Sequence, residues 1–334
     1  MINSNDEIKT TMSMRDAILN FHTQFEFEPK IEYEENLGEY SSYIVCGMGG
    51  SNLVGDLLEI VSSGTDVYSH RDYDLPAMSE KRLKESLVIL SSYSGTTEET
   101  ISSYWAAKPK GLSIAVVSAG WRFLEIAKHD KLAHIEIPDI KIQPRMATGF
   151  NFLALLALMR KRGELADARM LANTLKPTEY EDRGKVLASR IRGKVPIIYA
   201  SRRNRGLSYN WKIKFNETGK IPAFANVLPE LNHNEMTGFD VVDSTRALSE
   251  KFHFIFLRDS ADNEKIQKRM DVLGKLYRDR GLLVEDVAVE GDTPYLKIFS
   301  SLILADWTAL YTGESYGVET EQVPMVEEFK KAIS

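Results

Sequence analysis

The chain lacks the features that mark several common protein classes. Of its 334 residues only Cys46 is a cysteine, so no internal disulfide can form and a reducing, cytoplasmic setting is expected. Basic residues do not dominate: 42 Lys and Arg stand against 48 Asp and Glu, a formal net charge of −6. That balance gives no electrostatic reason to expect nucleic acid or an anionic membrane as partner. No apolar run approaches the ~20 residues of a bilayer-spanning helix; the longest, Phe150 to Met159, carries Asn151 inside it and reads as a buried helix. The opening MINSNDEIKTTMSMRD has no apolar centre suited to a signal peptide. Low-complexity tracts, short-period repeats and a Pro-rich linker are also missing.

Several catalytic signatures are absent as well. His22, His70, His129, His134, His233 and His253 show no H-x-H or H-E-x-x-H spacing, so no built-in metal site is expected. No Gly-Lys pair is followed by Ser or Thr, which removes the Walker A loop. Ser94 lacks the glycine two positions earlier that a G-x-S-x-G elbow needs. A dinucleotide fingerprint wants a third glycine where Asn52 stands.

What is present is a rhythm. At roughly 150 residues per domain the length suggests two domains. Short β-branched and aliphatic runs alternate with amphipathic stretches, the pattern of parallel strands covered on both faces by helices. The first half offers strands at YIVC (43–46), DVYS (66–69), LVILS (87–91), SIAVVS (113–118) and AHIEIP (133–138). Helices are expected at Leu53 to Ser62, Glu98 to Ala107 and Trp121 to Lys128. Between about Gly149 and Lys194 the rhythm pauses for three helical stretches, and the domain boundary is expected there. It resumes with VPIIYAS (195–201), PAFANVL (222–228), HFIFL (253–257) and LLVEDVAV (282–289). Two copies of one doubly wound α/β architecture are the simplest account.

Two loops in the first half look suited to an anion. GMGGS, Gly47 to Ser51, follows the first strand and opens into a helix; its glycines let a ligand approach backbone N–H groups with no Cβ in the way. SSYSGTTEET, Ser91 to Thr100, ends the third strand with six Ser and Thr hydroxyls before another helix. Both fall at carboxyl ends of strands, where open α/β sheets bind ligands. Taken singly, each also reads as a tight strand-to-helix turn or a capped helix start.

With these residues together, the sequence resembles the sugar isomerase (SIS) domain superfamily, and within it the bifunctional phosphoglucose/phosphomannose isomerase family. The markers are GMGGS, SYSGTTEET, PRMATGF (144–150), NETGK (216–220), LNHNEMTGF (231–239), the helix from Tyr295 and the tail GVETEQVPMVEEFKKAI. The resemblance implies two SIS domains, each a parallel sheet in a three-layer αβα sandwich, divided here as 1–155 and 156–334. It implies aldose–ketose isomerisation of hexose 6-phosphates without metal or organic cofactor, in a homodimer. Gly50, Ser51, Ser92, Ser94 and Thr97 would hold the phosphate. Glu217 would move the proton between C1 and C2, and Arg145 would stabilise the enediolate. His233, from the partner subunit, and Lys297 would open the sugar ring.

Each of these residues also has a plainer reading. Glu217 has the carboxylate a general base needs, yet beside Lys212 and Lys214 it also reads as a solvated glutamate on a charged helix. Lys297 opposes the dipole at the start of an apolar helix, a cost that points to function unless the side chain snorkels outward. His233 can cap a helix through its Asn neighbours, and Arg145 can be a surface ion-pair residue. Thr96 and Asn52 depart from the family pattern, and Thr293 is the nearest candidate for the residue that tolerates both C2 epimers. Two other functions fit parts of the pattern: a non-catalytic SIS sensor of sugar phosphates, and an SIS enzyme acting on an amino sugar phosphate.

Overall fold

A computed structural model describes residues 12–61 and 64–333. The stretch up to residue 11, and Ser62 at the expected end of the first crossover helix, lie outside the described residues.

The first sheet holds β1 (Ser42–Cys46), β2 (Asp66–His70), β3 (Ser86–Ser92), β4 (Ser113–Ser118) and β5 (Ala133–Glu136). All pair in parallel, in the order β2-β1-β3-β4-β5. Every residue of β1 and β3 is buried, as continuous apolar runs between two helical layers should be. The second sheet, β6 (Val195–Ser201), β7 (Phe224–Leu228), β8 (Phe252–Arg258) and β9 (Leu283–Ala288), has the order β7-β6-β8-β9. That is the winding of the first sheet without its fifth strand, so the two-copy expectation holds at the level of topology.

A short helix α1 (Met14–Leu19) precedes the first sheet, whose crossovers run through α2 (Leu53–Val61), α3 (Glu80–Glu85), α4 (Glu98–Ala107) and α5 (Trp121–His129). Four helices, not three, fill the pause: α6 (Thr148–Leu158), α7 (Arg162–Arg169), α8 (Leu171–Thr174) and α9 (Glu181–Ile191). The expected division at residue 155 falls inside α6. That helix is buried along most of its length and packs on β4 and α2, so it belongs to the layers of the first sheet. The second half adds α10 (Arg205–Glu217), α11 (Arg246–Ser249), α12 (Glu264–Asp279), α13 (Pro294–Ser315) and α14 (Pro324–Ile333).

One apolar core joins the two halves. It runs from the inner face of the first sheet (Val45, Ile89, Val117) through α2, α6, α10 and α13 to the inner face of the second (Ile198, Ile255). Separate clusters cover the outer faces, with Phe123 of α5 on one side and Leu273 of α12 on the other. No described helix is long and apolar enough to cross a membrane.

Candidate active site

The end of β1 sets the first wall. Gly49 takes a φ of 48°, in the left-handed region. A Cβ on Gly50 would stand 2.5 Å from the carbonyl carbon and oxygen of Pro144 and 2.6 Å from the Arg145 nitrogen. Backbone meets backbone there, and only glycine fits. Asn52 is completely buried and acts as the brace of the loop: its Nδ2 donates to the carbonyls of Val45, Gly47 and His70 at 2.8–3.0 Å. The residue that breaks the dinucleotide pattern thus ties the ends of β1 and β2 together.

The hydroxyl loop after β3 is bonded to this wall. Ser51 Oγ accepts from the Tyr93 N–H at 2.9 Å, and Ser91 Oγ donates to the Ser51 carbonyl at 2.9 Å. Ser92 Oγ meets Thr97 Oγ1 at 2.8 Å and accepts from the Gly95 N–H at 3.1 Å. Ser51 and Ser92 are buried and shape the loops, whereas Ser94 is exposed and Thr97 half-buried at the start of α4. The five expected phosphate residues therefore differ in exposure: Gly50, Ser51 and Ser92 are buried, Thr97 is half-buried with its hydroxyl against Ser92, and Ser94 is exposed.

Against the Gly50 side stands Arg145, in the 3-10 turn Pro144–Met146. It is 1% exposed, so it is no surface ion-pair residue. Its Nε donates to Thr218 Oγ1 at 3.0 Å, Nη1 to Glu217 Oε2 at 3.4 Å, and Nη2 to the carbonyls of Thr320 and Glu321 at 2.8 Å each. Burial pulls its pKa below the ordinary guanidinium value, while Glu217, Asp306 and Glu319 pull the other way. Glu217 ends α10 with its side chain 32% exposed, open to a ligand on one side and to Arg145 on the other.

Lys220, in the same NETGK motif, has a φ of 54°, uncommon for a residue with a Cβ. It donates to the Glu217 carbonyl at 2.6 Å and to the Gln322 carbonyl. Burial, with Arg145 nearby, holds its pKa below the ordinary lysine value against Glu319 and Glu217. Arg145 and Lys220 thus pin the segment 320–322 beside the carboxylate. Sequence reasoning gave Lys220, Thr218 and these carbonyls no role, although the motif itself was the signal.

The structure does not bring Lys297 into this cluster. Its Nζ lies 2.7 Å from Asp259 Oδ1, and Asp259 Oδ2 accepts from Asn204 Nδ2 at 3.2 Å. Asn204 stands immediately before α10, while Glu217 ends it. Thirteen residues of helix span roughly 20 Å, longer than a hexose phosphate. Within one chain, then, Lys297 stands apart from Glu217, at the carboxyl edge of the second sheet. Its charge is also compensated there. Burial works against the Asp259 carboxylate, but hydrogen bonds from Lys297, the Ala261 N–H and Asn204 hold its pKa below the usual range. His233 lies on the same edge, exposed in the 3-10 turn after β7, and is likewise not joined to Glu217 within the chain. Among the described residues no group of three or more His, Cys, Asp and Glu side chains is placed to hold a metal ion.

Comparison with known proteins bears on this arrangement. Residues 180–333 match the family described as the bacterial phospho-glucose isomerase C-terminal SIS domain. The chain is 30% identical to the bifunctional phosphoglucose/phosphomannose isomerase of Aquifex aeolicus, over 95% of this chain and 97% of that one. It is 32% identical to the enzyme of the same name from Caldicellulosiruptor bescii, over 93% and 94%. A D-glucosamine-6-phosphate 4-epimerase of Sulfolobus acidocaldarius shares 30% identity over 57% of this chain and 61% of its own. In fold, the chain is similar to the tagatose-6-phosphate ketose/aldose isomerase of Escherichia coli, with a TM-score of 0.65 and 18% identity over 92% and 88% of the two chains.

Proposed function

The chain belongs to the bifunctional phosphoglucose/phosphomannose isomerase family, and from that premise we propose that it interconverts glucose 6-phosphate and mannose 6-phosphate with fructose 6-phosphate through an enediol. The observation that carries the assignment of roles is the contact between buried Arg145 and the half-open Glu217 against the Gly50 wall. On this reading the phosphate docks on Ser94, Thr97 and the backbone N–H groups of the two loops, where hydroxyl donors and the start of α4 favour an anion.

With the phosphate anchored, the open-chain sugar presents C2 to Glu217. The carboxylate takes the C2 proton, the carbonyl oxygen at C1 gains negative charge as the enediolate forms, the hydroxyl proton passes from O2 to O1, and the carboxylate returns its proton to C1 to leave the ketose. A base of this kind contributes about 10²- to 10⁴-fold. The Arg145 guanidinium, itself buried, faces the developing charge as a fixed cation. His233, exposed on the far edge of its own chain, serves the site of a partner subunit in a homodimer. Lys297 has no role in the proton transfer on this reading.

The test is an assay of fructose 6-phosphate formation from each aldose phosphate, made on the wild type and on Glu217→Gln. Both aldoses should be converted. The variant should keep its KM while kcat falls about 10²-fold or more, because the amide retains the shape but not the basicity of the carboxylate. Tight binding of hexose 6-phosphates by the wild type with no conversion would return the reading to a sugar-phosphate sensor.

A further inference from the structure

The first half has a cleft that the reaction does not use. Its volume is about 350 Å³, within the range of small-molecule sites, and it lies between residues 29–34, the end of α6 and the start of α7. Lys30, Arg160, Lys161 and Arg162 line it against the single carboxylate of Glu34, and Ile31, Leu156 and Leu165 give it an apolar wall. Tyr43, the second residue of β1, donates to the Met159 carbonyl at 3.2 Å. This end of α6 therefore stands at the amino edge of the first sheet, whereas the phosphate loops stand at the carboxyl edge. The 11 residues of α6 put about 16 Å between the two ends of that helix.

Three observations set these cations apart from an ordinary solvated face. None of the four makes an ion pair among the described residues, although Glu34 lines the same cleft and Glu164 stands in the first turn of α7. Arg160 has a φ of 53°, the left-handed conformation with which helices commonly close and for which glycine is the favoured residue. A guanidinium is placed there instead: its Nη2 donates to the Leu37 carbonyl at 2.8 Å, while its Nε is buried with no hydrogen-bond partner. A buried donor without an acceptor is unfavourable until something supplies one. Lys161 and Arg162 occupy the cap and the first residue of α7, where a cation opposes the helix dipole, and the helix starts with no side-chain cap on its free N–H groups. An anion in the cleft answers all three.

We propose that this cleft binds a small polyanion that carries an apolar ring, the chemistry of a nucleoside diphosphate. Arg160 and Arg162 offer planar forks that match phosphate oxygens, Lys30 and Lys161 add charge, and the uncapped start of α7 favours the same sign of ligand. The wall of Ile31, Leu156 and Leu165 suits a flat apolar ring, which inorganic phosphate and hexose phosphates lack.

The experiment is calorimetric titration of ADP into four proteins: the wild type, the double variant Lys161→Glu/Arg162→Glu, Ala157→Trp and Ser94→Ala. Ala157 also lines the cleft, so the larger side chain fills it without altering its charge. The wild type should bind with a Kd below about 1 mM, and Ser94→Ala should bind equally well. The double variant and Ala157→Trp should each bind at least about tenfold more weakly, with thermal melts showing that both are folded. Lys161 is half-buried and Arg162 exposed, so should Ala157→Trp not fold, the double variant decides. Three results overturn the proposal: no heat of binding in the wild type at millimolar ADP, wild-type affinity in a folded cleft variant, or a loss in Ser94→Ala, which moves the binding to the phosphate loops.

Discussion

Arg145 uses four donor contacts inside the protein, and two of them go to the main-chain carbonyls of Thr320 and Glu321. Lysine at this position keeps the charge but not the planar fork. Arg145→Lys should therefore fold with some loss of stability, about 1–3 kcal/mol for a buried acceptor left without its donor. Its kcat should fall by about 10²-fold, read in steady-state kinetics beside a thermal melt. A second residue-scale expectation concerns His253 on β8. Burial holds its imidazole pKa below the ordinary value, with Lys194 acting in the same direction and Glu285 opposing. The unfolded chain then binds the proton more readily than the folded one. The contribution of His253 is complete above its unfolded pKa, about 6.5, and is lost as the pH falls from there through the lower folded value. Between pH 7.5 and 5.5 the wild type should lose more in Tm than His253→Gln does. Equal losses would show that the imidazole is not held neutral by the fold.

Among the elements, the two loops of the first sheet divide their labour. Ser51 and Ser92 bond within and between the loops, whereas the side-chain oxygen of exposed Ser94 accepts from the N–H and hydroxyl of Thr96 at 3.2–3.3 Å. Ser94→Ala should raise KM for every hexose 6-phosphate about 10-fold with little change in Tm, since one charge-assisted hydrogen bond is worth roughly 1.5–3 kcal/mol. Ser51→Ala should lower Tm, because it leaves the buried Tyr93 N–H without its acceptor. Identical effects of the two substitutions would contradict the division. Helix α10 matters in another way, since its length alone separates Lys297 from Glu217.

At the scale of the whole molecule, the strands were readable because buried parallel strands are unbroken apolar runs. SIAVVS and VPIIYAS fall on the observed β4 and β6 residue for residue. The loops were readable because glycine and hydroxyl clusters at strand ends have few other uses. Contacts made across the fold were not. The cation of Lys297 seemed uncompensated because Asp259 lies 38 residues earlier. The plainer reading of Arg145 as a surface ion-pair residue stayed open because Thr218 is 73 positions away and the carbonyls it holds are more than 170 away. That residue 155 falls inside a helix was hidden for the same reason, since only packing shows which sheet a buried helix serves.

The central claim is that Glu217 carries a proton between neighbouring carbons of a hexose 6-phosphate. It is tested most directly by running the reaction in heavy water and reading the label at C2 of recovered glucose 6-phosphate. The wild type should place deuterium there at a rate tied to turnover, because the proton held on a half-open carboxylate exchanges with solvent. Glu217→Gln should slow labelling and turnover together by about 10²-fold or more. Labelling that proceeds at the wild-type rate in Glu217→Gln, or wild-type turnover that leaves C2 unlabelled, would contradict it.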